Sequence, residues 1–233
     1  MINVLQLAAG QGSRFIGYSD LPKPFIDVAG KPMFVRAIDS IGLEDANYHY
    51  LFQRKHLTDY NPAQYVQGQI HSIDYYTDGA ATSAYHVIKN SPYRHQGWLV
   101  VDCDGIILWN KQIDSSNSGM FVEYHPWDPK SSYSYVDPKT RDVLCTAEKQ
   151  CISDYRNSGQ YYWSSGDLFC ECYEFYRDNN IRTLNEFYMS TLYNAAIKLG
   201  ERVRSIQIER FINMGTPDDL KRYLEEFHEI HST

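Results

Sequence analysis

The chain has 233 residues, 43% hydrophobic and 22% charged, with a net charge of −7. That balance supports a substantial core and excludes wholesale disorder, and acidity without any Lys/Arg block argues against a nucleic-acid partner. No apolar run approaches the ~20 residues of a membrane span. No signal-peptide pattern precedes Gly10, so no membrane partner and a cytoplasmic location are expected. The five cysteines are odd in number and lack paired metal-site spacing, which points to reduced thiols. Cys170 and Cys172 read as packing residues in an aromatic, helical stretch.

In chain order, residues 2–7 read as a buried strand and 32–41 as a helix with Met33, Ala37 and Ile41 on one face. Strands are expected over 48–52 and 70–76, a helix over 80–89, and a fully apolar strand over 98–101 that runs into Asp102-Cys103-Asp104-Gly105. This β-α-β-β-α-β order implies a parallel, helix-flanked sheet with ligands at the carboxyl ends of its strands. Residues 120–163 change to alternating strands and turns, the pattern of a small, mostly antiparallel insertion. Helices follow over 168–177 and 186–198, then a strand over 203–208. Thr216-Pro217-Asp218-Asp219 supplies a cap, a first-turn proline and first-turn acids for a helix over 220–227.

The densest chemistry lies near the amino terminus. The first strand ends in Gly10-Gln11-Gly12-Ser13-Arg14, and Lys23 follows between Pro22 and Pro24. Glycines let backbone N–H groups approach an anion, and the two cations can meet the charge of a triphosphate attacked at its α-phosphorus. The loop lacks the third glycine of a dinucleotide fingerprint and the Lys-Ser/Thr ending of a P-loop. A plain glycine turn with two solvated cations is the alternative.

Four further segments carry candidates. Asp104, with Asp102, offers hard oxygen ligands for Mg2+ after an apolar strand; a turn or helix cap uses the same residue type. Thr77-Asp78-Gly79-Ala80-Ala81-Thr82 lets a flat group lie against the Gly79 backbone, or is simply a helix start capped by Thr82. Glu148-Lys149 closes a strand, where the lysine pairs with an acceptor phosphate or is solvated. Asn213 completes a metal shell with its amide oxygen, or makes an Asx-turn before Gly215.

In order along the chain, LAAGQGSRF, GYSDLPKPFIDVAGKPM, TDGAATSA, the Asp104 strand, AEKQCISDYRNSGQYYW, EFYMSTLYNAAIKLGERV and FINMGTPDDL resemble a bacterial nucleotidyltransferase (pyrophosphorylase) of capsule and surface-polysaccharide pathways. The resemblance implies an α/β fold: a single Rossmann-like domain over 1–233, with a mixed, mostly parallel central sheet and a small antiparallel insertion on the acceptor side. It implies that Gly10, Gly12, Ser13 and Arg14 wrap the triphosphate, Lys23 stabilises the α-phosphate, and Gly79 and Ala80 lie near the base. Asp104 would bind the Mg2+ cofactor, while Glu148 and Lys149 face a phosphorylated acceptor such as a sugar 1-phosphate. Many sugar nucleotidyltransferases carry an Asp at the position of Asn213, so its share in the metal shell departs from that pattern. The nucleotide partner is an NTP, with a lean to CTP by analogy alone. A cytidylyltransferase acting on a phosphorylated amino acid or polyol, a glycosyltransferase using Asp102 and Asp104, and a non-catalytic nucleotide-binding subunit that has lost its second metal ligand are the rival readings.

Overall fold

The computed structural model describes residues 1–125 and 127–231. Pro126 and residues 232–233, which the single-domain expectation also spans, lie outside the described residues. The elements run β1 (Ile2–Ala8), β2 (Asp27–Val28), β3 (Lys31–Pro32), α1 (Met33–Ile41), β4 (Ala46–Gln53), α2 (Arg54–Tyr60) and β5 (Gln69–Ile73). Next come α3 (Ala80–Ile88), β6 (Trp98–Asp102), β7 (Gly105–Leu108), β8 (Ser118–Tyr124), β9 (Ser132–Val136), β10 (Val143–Glu148) and β11 (Tyr155–Trp163). The chain continues through α4 (Gly166–Asp178), α5 (Met189–Lys198), β12 (Val203–Gln207), β13 (Arg210–Asn213) and α6 (Pro217–His231).

Among the described residues, nine strands form one mixed sheet. Its parallel part is β5-β4-β1-β6. β11 joins β6 antiparallel, β8 joins β11 antiparallel, and β12 runs parallel to β8. β9 and β10 extend the sheet from β11, so the antiparallel insertion is continuous with it. β1 is central, and Val4 and Leu5 on its two faces are both fully buried. A strand covered on both sides needs an apolar run rather than alternation, which is what residues 2–8 provide. α3, α4 and α5 pack on the Leu5 face, where Ala84, Phe169 and Tyr193 meet it. α1 covers the Val4 face through Phe34 and Ile38. Cys170 and Cys172 are both fully buried in α4, as packing residues should be.

Three local features differ from expectation. α2 follows β4 directly, in a polar stretch with no clear periodicity. β5 stops at Ile73. α5 begins at Met189 instead of 186, because Thr183 and Glu186 pair across a tight turn whose Leu184 and Asn185 hold φ of 48° and 68°. Among the described residues, no helix is long and apolar enough to cross a membrane.

Two histidines are deeply buried and uncharged. His49 on β4 stacks on His71, with ring centroids 5.4 Å apart, and lies against Trp98. Burial, and then the neighbouring His71, lower its pKa to about 4. His56 on α2 lies among Phe25, Phe52 and Tyr60. Burial, reinforced by Lys55 and opposed by Asp59, brings it to about 4. In the unfolded chain both take a proton near pH 6.5. Stability from these sites is therefore full above that pH and is lost as the pH falls from about 6.5 towards 4, by at most ~1.4 kcal/mol per pH unit for each. Thermal melts should show Tm falling between pH 6.5 and 5, with a shallower slope for His56→Phe. An unchanged slope in that variant would contradict the assignment.

Candidate active site

The loop after β1 and the turns that follow it set the two cations. Gly12 takes a left-handed conformation, φ 64°, and starts a 3-10 turn over Ser13–Phe15. Phe15 is buried with Val28, Met33 and Met214, so Arg14 is anchored by its neighbour while its own side chain stays exposed. A second 3-10 turn, Lys23–Phe25, is set by Pro22 and Pro24. Phe25 stacks on Tyr60 at 4.8 Å and meets Phe34 edge-on at 5.5 Å. Each cation is thus launched just ahead of a buried phenylalanine. The two turns touch: a Cβ on Gly12 would lie 2.8 Å from Lys23 Cβ. Glycine is required there by both φ and close approach.

β6 delivers the carboxylates to the same place, because β1 and β6 are parallel neighbours and end together. The Lys23 ammonium donates to Asp104 Oδ2, with side-chain exposures of 13% and 16%. Burial works against both charges, yet each is held charged by the other. Asp104 raises the Lys23 pKa past the burial penalty, and Lys23, with help from Arg14, pulls Asp104 below the usual carboxylate range. Asp102 is different: burial, then Asp104, push it up to about 7.

Asn213 arrives from the far end of the chain. β13 pairs with β7, placing Asn213 opposite Gly105, and Met214 N–H donates to the Asp104 carbonyl at 2.8 Å. A Cβ on Gly215 would lie 2.8 Å from Asp104 Oδ2, 2.9 Å from Asn213 Oδ1 and 3.4 Å from an Arg14 guanidinium nitrogen. Three sequence-distant side chains therefore converge on one point. The Asx-turn is formed as well, since Gly215 N–H donates to Asn213 Oδ1 at 2.9 Å. Among the described residues, no three His, Cys, Asp or Glu side chains form a metal cluster. One carboxylate oxygen and one amide oxygen side by side still suit Mg2+, which keeps waters and takes further ligands from phosphates.

A cleft of 470 Å3 joins Arg14, Lys23 and the two carboxylates to the start of α3, and Asn213 is not among its lining residues. Gly10, Gly12, Ser13, Arg14, Lys23, Gly79, Ala80, Asp102 and Asp104 all line it. Gly79, φ 138°, is glycine for an internal reason: its Cβ would lie 2.5 Å from the Phe187 carbonyl oxygen. The segment ahead of α5 lies against it, with Phe187 N–H donating to Asp78 at 2.9 Å and Ala81 N–H to Phe187 at 3.2 Å. Thr82 does not cap α3; its hydroxyl donates to Asp78 at 2.6 Å. Gln53 is a strut, its amide donating to Ala9 O at 2.7 Å and Tyr75 O at 3.1 Å.

Sequence reasoning missed Ser83 and Glu186, which also line the cleft with Thr77 of the candidate segment. Only the turn chemistry of Asn185, a residue that tolerates left-handed φ, hinted that 183–187 was not helical. Glu148 and Lys149 are not among the cleft-lining residues. Glu148, at 6% side-chain exposure, accepts from Ser190 at 2.7 Å and pairs with Lys149 at 3.0 Å. The Lys149 ammonium also sits 5.6 Å over the Tyr188 ring.

No protein-family model matches the chain, and no curated protein matches it. Solved structures do. A nucleoside-diphosphate-sugar pyrophosphorylase from Vibrio cholerae superposes with a TM-score of 0.82 at 20% identity, covering 97% of this chain and 100% of that one. A UDP-glucose pyrophosphorylase complexed with UDP-glucose gives 0.78 at 14% identity, over 99% and 100%. An inositol-1-phosphate CTP transferase from T. maritima gives 0.72 at 13% identity, over 97% and 96%. The chain has the α/β fold of these proteins.

Proposed function

We propose that the chain is a nucleotidyltransferase of the pyrophosphorylase type, joining the NMP moiety of an NTP to a phosphorylated acceptor with release of pyrophosphate. The observation that carries this is the meeting of Arg14, Lys23 and Asp104 in one cleft beside a glycine loop. The acceptor phosphate oxygen attacks the α-phosphorus, a new P–O bond forms, and the bond to the pyrophosphate oxygen breaks. A phosphate monoester is already largely ionised at neutral pH, so no general base is needed. Catalysis is positioning and charge stabilisation.

Lys23 carries its charge to the α-phosphate, and Arg14 takes the leaving pyrophosphate. Backbone N–H groups at 10–13 hold the triphosphate in place. Asp104 and Asn213 would hold Mg2+, which when bound supplies further positive charge against the phosphate oxygens. Gly79 and Ala80 would border the base. Glu148 and Lys149 would meet the acceptor, for which a sugar 1-phosphate is our first reading. The fold shared with the inositol-1-phosphate CTP transferase keeps phosphorylated polyols in view, and the slight lean to CTP rests on sequence analogy alone. Synthesis of capsule or surface-polysaccharide precursors by a cytoplasmic enzyme is the setting we infer from the sequence resemblance. A glycosyltransferase built on Asp102 and Asp104 fits less well. Such an enzyme consumes a nucleotide sugar, releases no pyrophosphate and has no need of Arg14 and Lys23 beside the amino-terminal glycine loop.

Pyrophosphate release should appear in a screen of the common NTPs against sugar phosphates and phosphorylated polyols or amino acids. NTP binding by calorimetry with no pyrophosphate release from any pair would refute catalysis. Lys23→Ala should lower kcat about 100- to 1000-fold; full turnover by that variant would remove Lys23 from the mechanism.

The two loop glycines should separate. A Cβ at Gly10 meets nothing within 4 Å, so Gly10→Ala should keep its Tm but weaken NTP binding in calorimetry. Gly12→Ala should lose about 1–2 kcal/mol of stability through its left-handed φ alone. A Gly10→Ala protein that binds NTP as tightly as wild type would argue against a phosphate cradle at this loop.

A further inference from the structure

The amide of Asn213 is chemically two-faced, and the structure fixes which face is turned where. Its oxygen receives Gly215 N–H at 2.9 Å, and its NH2 donates to Asp219 Oδ2 at 2.9 Å. Asp219 is itself held, since Thr216 Oγ1 donates to the same Oδ2 at 2.6 Å and Asp219 N–H donates back to Thr216 at 3.2 Å. One carboxylate, Asp219, thus accepts from the NH2, while the amide oxygen lies on the Gly215 side. Asp104 Oδ2 lies 2.8 Å, and Asn213 Oδ1 2.9 Å, from the same point beside Gly215. Without a competitor, an amide beside a carboxylate would turn its NH2 towards it and present a donor where a cation needs an acceptor. Asp219 takes the NH2, and the oxygen is left on the Asp104 side.

We propose that Asp219 is a positioning residue that locks the Asn213 amide with its oxygen towards Asp104, so that an uncharged side chain serves as the second ligand of a divalent cation. This rests on the nucleotidyltransferase reading for the use of the cation, not for the geometry. It also accounts for the departure at position 213. An aspartate there would have no wrong face to turn and no need of an orienting partner, and would stand in repulsion with Asp219. Outer partners of this kind commonly change metal affinity by about 10- to 100-fold when removed.

The test is Mn2+ binding to the full chain, alone and with CTP, read by the electron paramagnetic resonance of the free ion. Asp219→Ala should weaken Mn2+ binding by roughly 10- to 100-fold, and should raise the metal concentration that half-activates turnover more than it lowers kcat. Asn213→Asp in the Asp219→Ala background should restore Mn2+ affinity, because a carboxylate presents oxygen either way. Thr216→Ala removes both a helix cap and one of the hydrogen bonds that hold Asp219 Oδ2, so it should lower Tm and weaken Mn2+ binding less than Asp219→Ala does. Unaltered Mn2+ binding in Asp219→Ala overturns the proposal, as does a double variant that melts like wild type yet stays as weak as Asp219→Ala. Pyrophosphate release by the wild-type chain reports on the underlying reading separately: release with Mn2+ affinity indifferent to residue 219 sinks the orientation alone.

Discussion

The ion pair between Lys23 and Asp104 joins residues 81 positions apart and is the contact on which the cleft depends. Both side chains are largely withdrawn from water, where a lone ammonium or carboxylate would be costly by several kcal/mol. Each is tolerable because the other is there. The pair therefore fixes the loop after β1 against the end of β6, with a cation already in place before any anion arrives. Gly12 fits the same contact, since Lys23, on its way to Asp104, lies against the turn where a Cβ would stand 2.8 Å from its own Cβ. Arg14 then stands at the open side of the same group.

Much of this was legible in the residues. The apolar run of β1, the one-sided pattern of α1 and the strand running into Asp104 each carry a strong local signal, and the parallel order follows from their alternation. What stayed hidden depends on partners distant in sequence. α2 has seven residues and few apolar ones; its place is set by His56 and Tyr60 packing on Phe25. The β7–β13 ladder pairs two four-residue strands from opposite halves of the chain, and neither is recognisable alone. It is that ladder that brings Asn213 to Asp104, so the site's second oxygen donor could be named from a motif but not located. Glu186 was hidden because a left-handed turn, not a helix, carries it.

The glycines show how one residue type serves different masters. At Gly79 the missing side chain makes room for the backbone of Phe187, so the demand comes from within the fold. At Gly10 nothing in the protein occupies the space a methyl would fill. Internal packing gives no reason for a glycine there; a phosphate held as in the proposed function would. The loop around 183–187 is likewise a structural brace for the start of α3, through Arg182 on Asp78 at 2.8 Å and Phe187 on Gly79.

Phe15, which anchors Arg14, shares its apolar cluster with Met214 and Leu220. The first loop of the protein is thus seated on residues made some two hundred positions later. During synthesis the central strands can pair while the arginine still lacks its floor and Asp104 its amide neighbour. A nascent chain halted before residue 213 would hold every residue that lines the cleft, but neither the apolar seat beneath Phe15 nor the amide beside Asp104. The support of the amino-terminal loop is thus among the last parts of the protein to be made, close to the completion of α6.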